Sequence, residues 1–226
     1  ARQRFLKGVV KMKYGLAVFD LDGTVLNTLF DLYKATDYAL FENGFDKRSE
    51  DEVRRFVGNG IHKLIERAVP ENASSEDVER VFKSFNEYYS VHCADNTKPY
   101  DGIPSILTLL RQKGIKTAVV SNKADYAVQS LCKKYFDGLF DFCVGERAGI
   151  KRKPAPDSVN EVLKTLGFSK ENAVYIGDSE VDIETAKNAK MDCISVSWGF
   201  KDKSFLKLMG ASHIIDSPKE LLSFFE

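Results

Sequence analysis

Histidine and cysteine are scarce in this 226-residue chain, and their scarcity removes whole classes of chemistry. His62, His92 and His213 are too few and too dispersed to build a histidine-based metal centre. The four cysteines, Cys93, Cys132, Cys143 and Cys193, contain no CxxC pair, so their spacing fits neither a zinc site nor a disulfide framework. Buried thiols in a reducing cytosol are the expectation, and with them a cytoplasmic protein. Charge of one sign is also lacking. Lys plus Arg equals Asp plus Glu at 33 each, so no overall field draws the chain to nucleic acid or anionic lipid, and no basic stripe is interleaved with aromatics. No apolar run approaches the roughly 18 residues that would span a membrane. Neither a repeat of fixed period nor a low-complexity segment is present.

What is present is ordinary in bulk, with 43% apolar and 29% charged residues, and long enough to bury a core in one or two domains. The first thirteen residues carry Arg2, Arg4, Lys7, Lys11 and Lys13 without an apolar h-region, so they do not read as a signal peptide. They read as a tag or disordered tail, with Met12 as a candidate natural start.

The informative stretch is Phe19-Asp20-Leu21-Asp22-Gly23-Thr24. Leu16-Ala17-Val18-Phe19 before it is a short apolar run expected to form a buried strand. Strand side chains alternate faces, so Asp20 and Asp22 point the same way, and Gly23 lets the chain turn tightly. Two convergent carboxylates repel, which a divalent cation would relieve while leaving one free as a nucleophile. A strand followed by a plain acidic turn is the alternative at this point.

Downstream, helical spacing predicts helices over about 25–42, 49–57 and 61–68. A capping signature at Ser74-Ser75-Glu76-Asp77 opens a long helix with Val78, Val81, Phe82, Phe85 and Tyr88 on one face. No strand is evident from 26 to 97. After Pro99-Tyr100-Asp101-Gly102 the pattern alternates: helix 104–113, strand 116–120, helix 124–134, strand 140–144, helix 156–166, strand 173–176, helix 180–189, strand 193–196, and a weak strand 213–215 before a terminal helix. Such alternation predicts a parallel sheet covered on both faces. The expected division is an α/β core of 14–25 and 99–226 with an all-helical insertion of 26–98. Hinges fall near 25–27 and 98–103. An insertion there sits over the carboxyl edge of the sheet, where open α/β sheets bind ligands.

Three more strand ends carry polar residues. Ser121-Asn122-Lys123 offers a hydroxyl and amides at an expected helix start. Lys153-Pro154-Ala155-Pro156-Asp157 places a lysine before a helix. Gly177-Asp178-Ser179-Glu180-Val181-Asp182 is a second acidic cluster. Each alone reads equally well as a cap, a surface charge or a turn; four together at one sheet edge do not.

In this order the four stretches resemble the motifs of the haloacid dehalogenase superfamily, over about residues 14–225. The insertion resembles the small α-helical cap of its first subclass. Pro99-Tyr100-Asp101-Gly102, Lys153-Pro154-Ala155-Pro156-Asp157 and Ser197-Trp198-Gly199 further resemble its phosphoglycolate phosphatase-like branch. The resemblance implies a Rossmann-like core. It also implies a Mg²⁺-dependent phosphatase acting on a small phosphorylated metabolite through an aspartyl-phosphate. By it Asp20 is the nucleophile and Asp22 the acid and then the base. Ser121 and Asn122 hold phosphate oxygens, and Lys153 offsets charge on both the phosphoryl group and Asp20. Asp20, the Asp22 carbonyl and Asp178 bind Mg²⁺, with Asp182 beside the ligands. Gly58, Asn59 and Lys63 in the insertion are candidates for substrate specificity. One departure stands out: Asn27-Thr28 replaces the branch's usual Asp-Ser pair.

Other members of the superfamily with the same core residues remain alternatives: a β-phosphoglucomutase-like phosphomutase, a pyrophosphatase or a nucleotidase. A non-catalytic binding protein is a further alternative, but its usual sign is a lost motif acid, and none is lost here. The oligomeric state, monomer or dimer, is open.

Overall fold

The computed structural model describes residues 13–226; residues 1–12, and with them most of the expected N-terminal tail, lie outside the described residues. A six-stranded sheet forms the centre of the α/β part. Its strands are β1 (Leu16–Phe19), β4 (Lys116–Ala124), β5 (Phe142–Glu146), β6 (Ala173–Gly177), β7 (Asp192–Val196) and β8 (Ile214–Ile215). Their order is β5-β4-β1-β6-β7-β8, with every pairing parallel. The motif strands β1, β4 and β6 are adjacent at the centre, so their carboxyl ends open side by side.

Alternation sorts the sheet residues into two packed layers. Ala17, Phe19, Val119, Val174, Ile176, Ile194 and Val196 face α5 (Ile103–Gln112), α6 (Asp125–Phe136) and the 3₁₀ turn Pro218–Phe225. Leu16, Val18, Ala118, Val120, Val144 and Tyr175 face α7 (Asp157–Leu166) and α8 (Glu180–Ala189). Helices on both faces satisfy the burial that a parallel sheet requires. A short α9 (Lys203–Leu208) connects β7 to β8.

The long insertion is helical: α1 (Leu29–Glu42), α2 (Glu50–Phe56), α3 (Gly60–Ala68) and α4 (Ser75–His92). They enclose their own apolar cluster of Leu32, Ala35, Leu40, Val53, Leu64, Ile65, Val81, Phe85 and Tyr89. The expected capping box forms at Ser74 with Asp77, and a second, not anticipated, forms at Ser49 with Glu52. Phe85 and Tyr89 are the aromatics of α4 that turn inward, whereas Tyr88 is half-buried and stacks on Tyr38 at 4.5 Å.

Two expectations are corrected. The first helix does not begin at 25, because Leu26–Asn27 (β2) pairs antiparallel with Lys98–Pro99 (β3) to make a two-stranded ribbon between the insertion and the sheet. Two residues per strand carry no readable periodicity, so the ribbon left no mark in the pattern. The second concerns β4, which runs through Ser121-Asn122-Lys123 to Ala124 with an irregular register after Val120. Helix α6 starts only at Asp125, so Ser121 and Asn122 lie on an irregular strand end rather than at a helix N-terminus.

Asp31 of α1 braces the second crossing. Its carboxylate accepts from the backbone N–H groups of Asn96 and Thr97, the Asn96 Nδ2 and the Thr97 hydroxyl, at 2.7–3.0 Å. The Thr97 carbonyl in turn accepts from Tyr135 of α6 at 2.6 Å.

Candidate active site

The site starts at the end of β1. Asp20 follows Phe19 directly, and its N–H donates to the Ile176 carbonyl of β6 at 2.8 Å, so the chain is still held as a strand there. The side chain is 7% exposed. Gly23 turns the backbone with φ +86°, and a Cβ at this position would lie 2.3 Å from Asp178. Gly199 is equally tight against Asp178 from the other side, at 2.4 Å. Two glycines therefore let two loops close around one carboxylate. Asp178 also accepts from the Thr24 hydroxyl (3.2 Å) and the Phe200 N–H (2.7 Å).

Lys153 is the central cation of this edge. Its ammonium, 5% exposed as a residue, donates to Asp20 Oδ1 (2.8 Å), Asp182 Oδ1 (2.8 Å) and the Tyr175 hydroxyl (3.1 Å). Asp182 Oδ2 accepts from the N–H groups of Asp178 and Ser179 and the Ser179 hydroxyl, which closes a capping box at the start of α8. Both Asp182 oxygens are thus already engaged. Asn122 contributes through its side chain, donating from Nδ2 to the Lys153 carbonyl at 3.0 Å, which ties the Lys153 loop to β4.

Carboxylate oxygens of Asp20, Asp178 and Asp182 lie within 4.8 Å of one another, all three buried. One ammonium cannot offset three negative charges, and the protonation equilibria carry the strain. Burial pushes Asp20 up to about 7 against the pull of Lys153, with Asp182 and Asp22 adding repulsion. Burial, Asp182 and Asp20 likewise hold Asp178 well above the usual carboxylate range. Burial alone would lower Lys153, but Asp182 and Asp20 overcome it and hold the ammonium well above the ordinary lysine range. All the donors are hard oxygens in a net-negative pocket, and that set suits a small divalent cation such as Mg²⁺.

Asp22 lies apart from this cluster, clamped by the Lys123 ammonium at 3.0 and 3.1 Å. Lys123 also donates to the Tyr89 hydroxyl at 2.7 Å. Within the Ser121-Asn122-Lys123 stretch, Lys123 carried no expected role. Its partners lie 101 and 34 residues away, and only the fold brings them together.

Above these groups the insertion closes a cavity of about 50 Å³, lined by Asp20, Asp22, Ser121, Lys123, Lys153 and Asp178 below. Gly58, Gly60, Ile61 and Leu64 line it from the insertion, with Phe200 and Lys201 at the side. Of the three candidates named in the insertion, Gly58 lines the cavity. Asn59 and Lys63 do not line it. Lys63 sits on the exposed face of α3, paired with Glu66. Lys201 was not anticipated; its ammonium reaches the Arg55 carbonyl at 3.1 Å and so links the β7–α9 loop to α2.

Comparisons with known proteins agree with this geometry. Residues 17–196 match the model of the haloacid dehalogenase-like hydrolases. A phosphoglycolate phosphatase of Aquifex aeolicus is 35% identical over 188 residues, covering 81% of this chain and 84% of that protein. A second, from Mesorhizobium japonicum, is 32% identical, covering 85% and 86%. Among solved structures, one from Lactobacillus delbrueckii subsp. bulgaricus, provisionally described as a phosphoglycolate phosphatase, superposes with a TM-score of 0.92 at 41% identity. The match covers 95% of this chain and 99% of that one. The chain belongs to the haloacid dehalogenase-like hydrolases and is a phosphatase of their phosphoglycolate phosphatase-like branch.

Proposed function

We propose that this chain hydrolyses a small phosphate monoester of the 2-phosphoglycolate class, with Mg²⁺ and through an aspartyl-phosphate on Asp20. The observation that carries the reading is the meeting of Asp20, Asp178 and Lys153, all buried, at the floor of one small cavity, with Asp182 buried beside them and paired to Lys153. The relatives' names support the substrate class. A cavity of about 50 Å³ has room for only a few waters, which favours a small leaving group. We assign 14–25 and 99–226 to the catalytic core and 26–98 to a cap, in a cytoplasmic protein.

In this reading an Asp20 oxygen attacks phosphorus in line, the bond to the leaving oxygen breaks, and Asp22 gives that oxygen its proton. Water then attacks phosphorus, Asp22 takes the water proton, and the bond to Asp20 breaks to release inorganic phosphate. Ser121 and the backbone of Asn122 hold the non-bridging oxygens. Lys153 keeps Asp20 ionised and oriented, and electrostatic positioning of this kind dominates phosphoryl transfer. Asp20, Asp178 and the Asp22 carbonyl would hold Mg²⁺; Asp182, with both oxygens engaged, supports the site from beside it. When bound, the ion supplies charge neutralisation at the carboxylates and the phosphoryl group.

The test is phosphate release from 2-phosphoglycolate beside glucose 1-phosphate, a nucleoside monophosphate and pyrophosphate, with acid quenching to capture the Asp20 peptide carrying one phosphoryl group. Preference for 2-phosphoglycolate with a phosphorylated Asp20 peptide is the expected outcome. Isomerisation of the sugar phosphate without net phosphate release would favour a mutase instead.

A further inference from the structure

The proposed reaction leaves one buried cluster unused. Lys123, 5% exposed, places its ammonium between the two oxygens of Asp22 (3.0 and 3.1 Å) and the hydroxyl of Tyr89 (2.7 Å). It also lies over the Tyr89 ring, 4.8 Å from the centroid. Asp22 and Lys123 belong to the sheet edge, whereas Tyr89 belongs to α4 of the helical insertion and is 5% exposed. The lysine is thus a node joining a catalytic candidate on one part of the molecule to a buried hydroxyl on the other. Burying an ammonium is costly unless it is paired and hydrogen-bonded, and a plain packing role would be filled better by an apolar side chain.

We infer that Lys123 is a positioning residue for Asp22 in the hydrolytic half of the reaction, and that Tyr89 sets Lys123 in place when the insertion lies over the sheet edge. The inference rests on the proposed role of Asp22 as the base that takes a proton from water. A carboxylate offers about four acceptor sites, of which the ammonium uses two, so a clamped Asp22 keeps lone pairs for the cavity while losing its freedom to rotate. As the water proton reaches Asp22, the oxygen of the water bonds to phosphorus and the phosphorus–oxygen bond to Asp20 breaks. Lys123 itself neither gives nor takes a proton. Because Tyr89 reaches Asp22 only through Lys123, the clamp on the water-activating group gains its third contact when the insertion covers the site.

The experiment uses p-nitrophenyl phosphate, whose leaving phenolate needs no proton, so that the first step proceeds without an acid and only the second depends on Asp22. Burst and steady-state kinetics, with acid-quenched phosphoenzyme, are measured for Lys123→Met, Tyr89→Phe, the double variant and Asp22→Asn. For Lys123→Met the expected result is a kcat lowered about tenfold or more, KM lowered in parallel and kcat/KM held within about threefold. Phosphoenzyme should accumulate. Tyr89→Phe, which removes one oxygen, should show the same signature at a few-fold, and the double variant should be no slower than Lys123→Met alone, since the two act in series. A residue that merely supports packing would lower kcat/KM without a burst.

The inference is overturned if Asp22→Asn accumulates phosphoenzyme while Lys123→Met and Tyr89→Phe turn over without it, or if the two single losses simply add. Absence of accumulation in Asp22→Asn itself strikes the prior reading of Asp22 as base, which is a different failure. If Lys123→Met does not fold, Tyr89→Phe decides, because it leaves the buried charge paired with Asp22.

Discussion

The sheet and the helical insertion bury their polar groups on opposite principles. At the carboxyl edge of the sheet, Asp20, Lys123, Lys153, Asp178 and Asp182 are all removed from solvent within a few residues' reach of one another. In the described part of the insertion the one buried charged group is Asp31, and its carboxylate is satisfied by four donors from Asn96 and Thr97. Buried charge costs stability unless fully paired. Asp31 is paired and structural, whereas the sheet edge gathers more carboxylates than its two buried lysines offset. That surplus is what the proposed function draws on. The insertion instead supplies shape, through Gly58, Gly60, Ile61 and Leu64, and polar contacts to cavity residues through the Tyr89 hydroxyl and the Arg55 carbonyl.

The sharpest way to break this division is at its charged end. Asp20→Asn keeps the shape and removes the proposed nucleophile, so kcat on 2-phosphoglycolate should fall by on the order of 10⁴-fold or more, read as phosphate release. Chelation of divalent cations should reduce turnover by a factor on the order of 10²–10³, restored by Mg²⁺, because the surplus of carboxylate charge then stands uncompensated. Less drastic is Gly199→Ala, whose Cβ must displace Asp178 or the Gly23 carbonyl, each 2.4 Å away. Its mark should be a Mg²⁺ activation midpoint raised by about tenfold, with the folded structure retained by circular dichroism.

The insertion should respond to a different insult. Phe85→Ala, in the centre of its apolar cluster, should cost about 3–5 kcal/mol of stability in denaturant unfolding, while a comparable loss at the sheet edge would act on rate instead. The smallest effect is expected at Lys63, which is half-exposed and paired only with Glu66. Lys63→Ala should alter kcat/KM for 2-phosphoglycolate by less than about twofold. A large effect there would show that the insertion contributes charge to the substrate, and would blur the division.

How much of this was visible beforehand depended on the reach of each signal. Asp20, Ser121, Lys153 and Asp178 were legible because polar residues at the ends of apolar strands break the local pattern at a place where sheets bind ligands. The helices of the insertion and the capping box at Ser74 were legible from local spacing. The ribbon of Leu26–Asn27 with Lys98–Pro99 was not, because two-residue strands have no period. Tyr89 was hidden differently: helical spacing put its neighbour Tyr88 on the apolar face, and only the neighbouring sheet edge distinguishes the two. Lys123 stood inside a recognised motif, yet its task depends on contacts across 101 and 34 residues that no local pattern carries.

That ribbon has a topological consequence. Asn27 and Lys98 are paired neighbours across it, so seventy intervening residues begin and end at one point in space. For the sheet, the whole helical segment is equivalent to the tip of a hairpin. Its length adds little to the entropy of closing β1 against β4, since that cost grows only with the logarithm of an open loop and is cut shorter still by a paired stem. Evolution can therefore lengthen, shorten or exchange everything beyond the stem while the order of the strands, and the chemistry at their ends, stays the same.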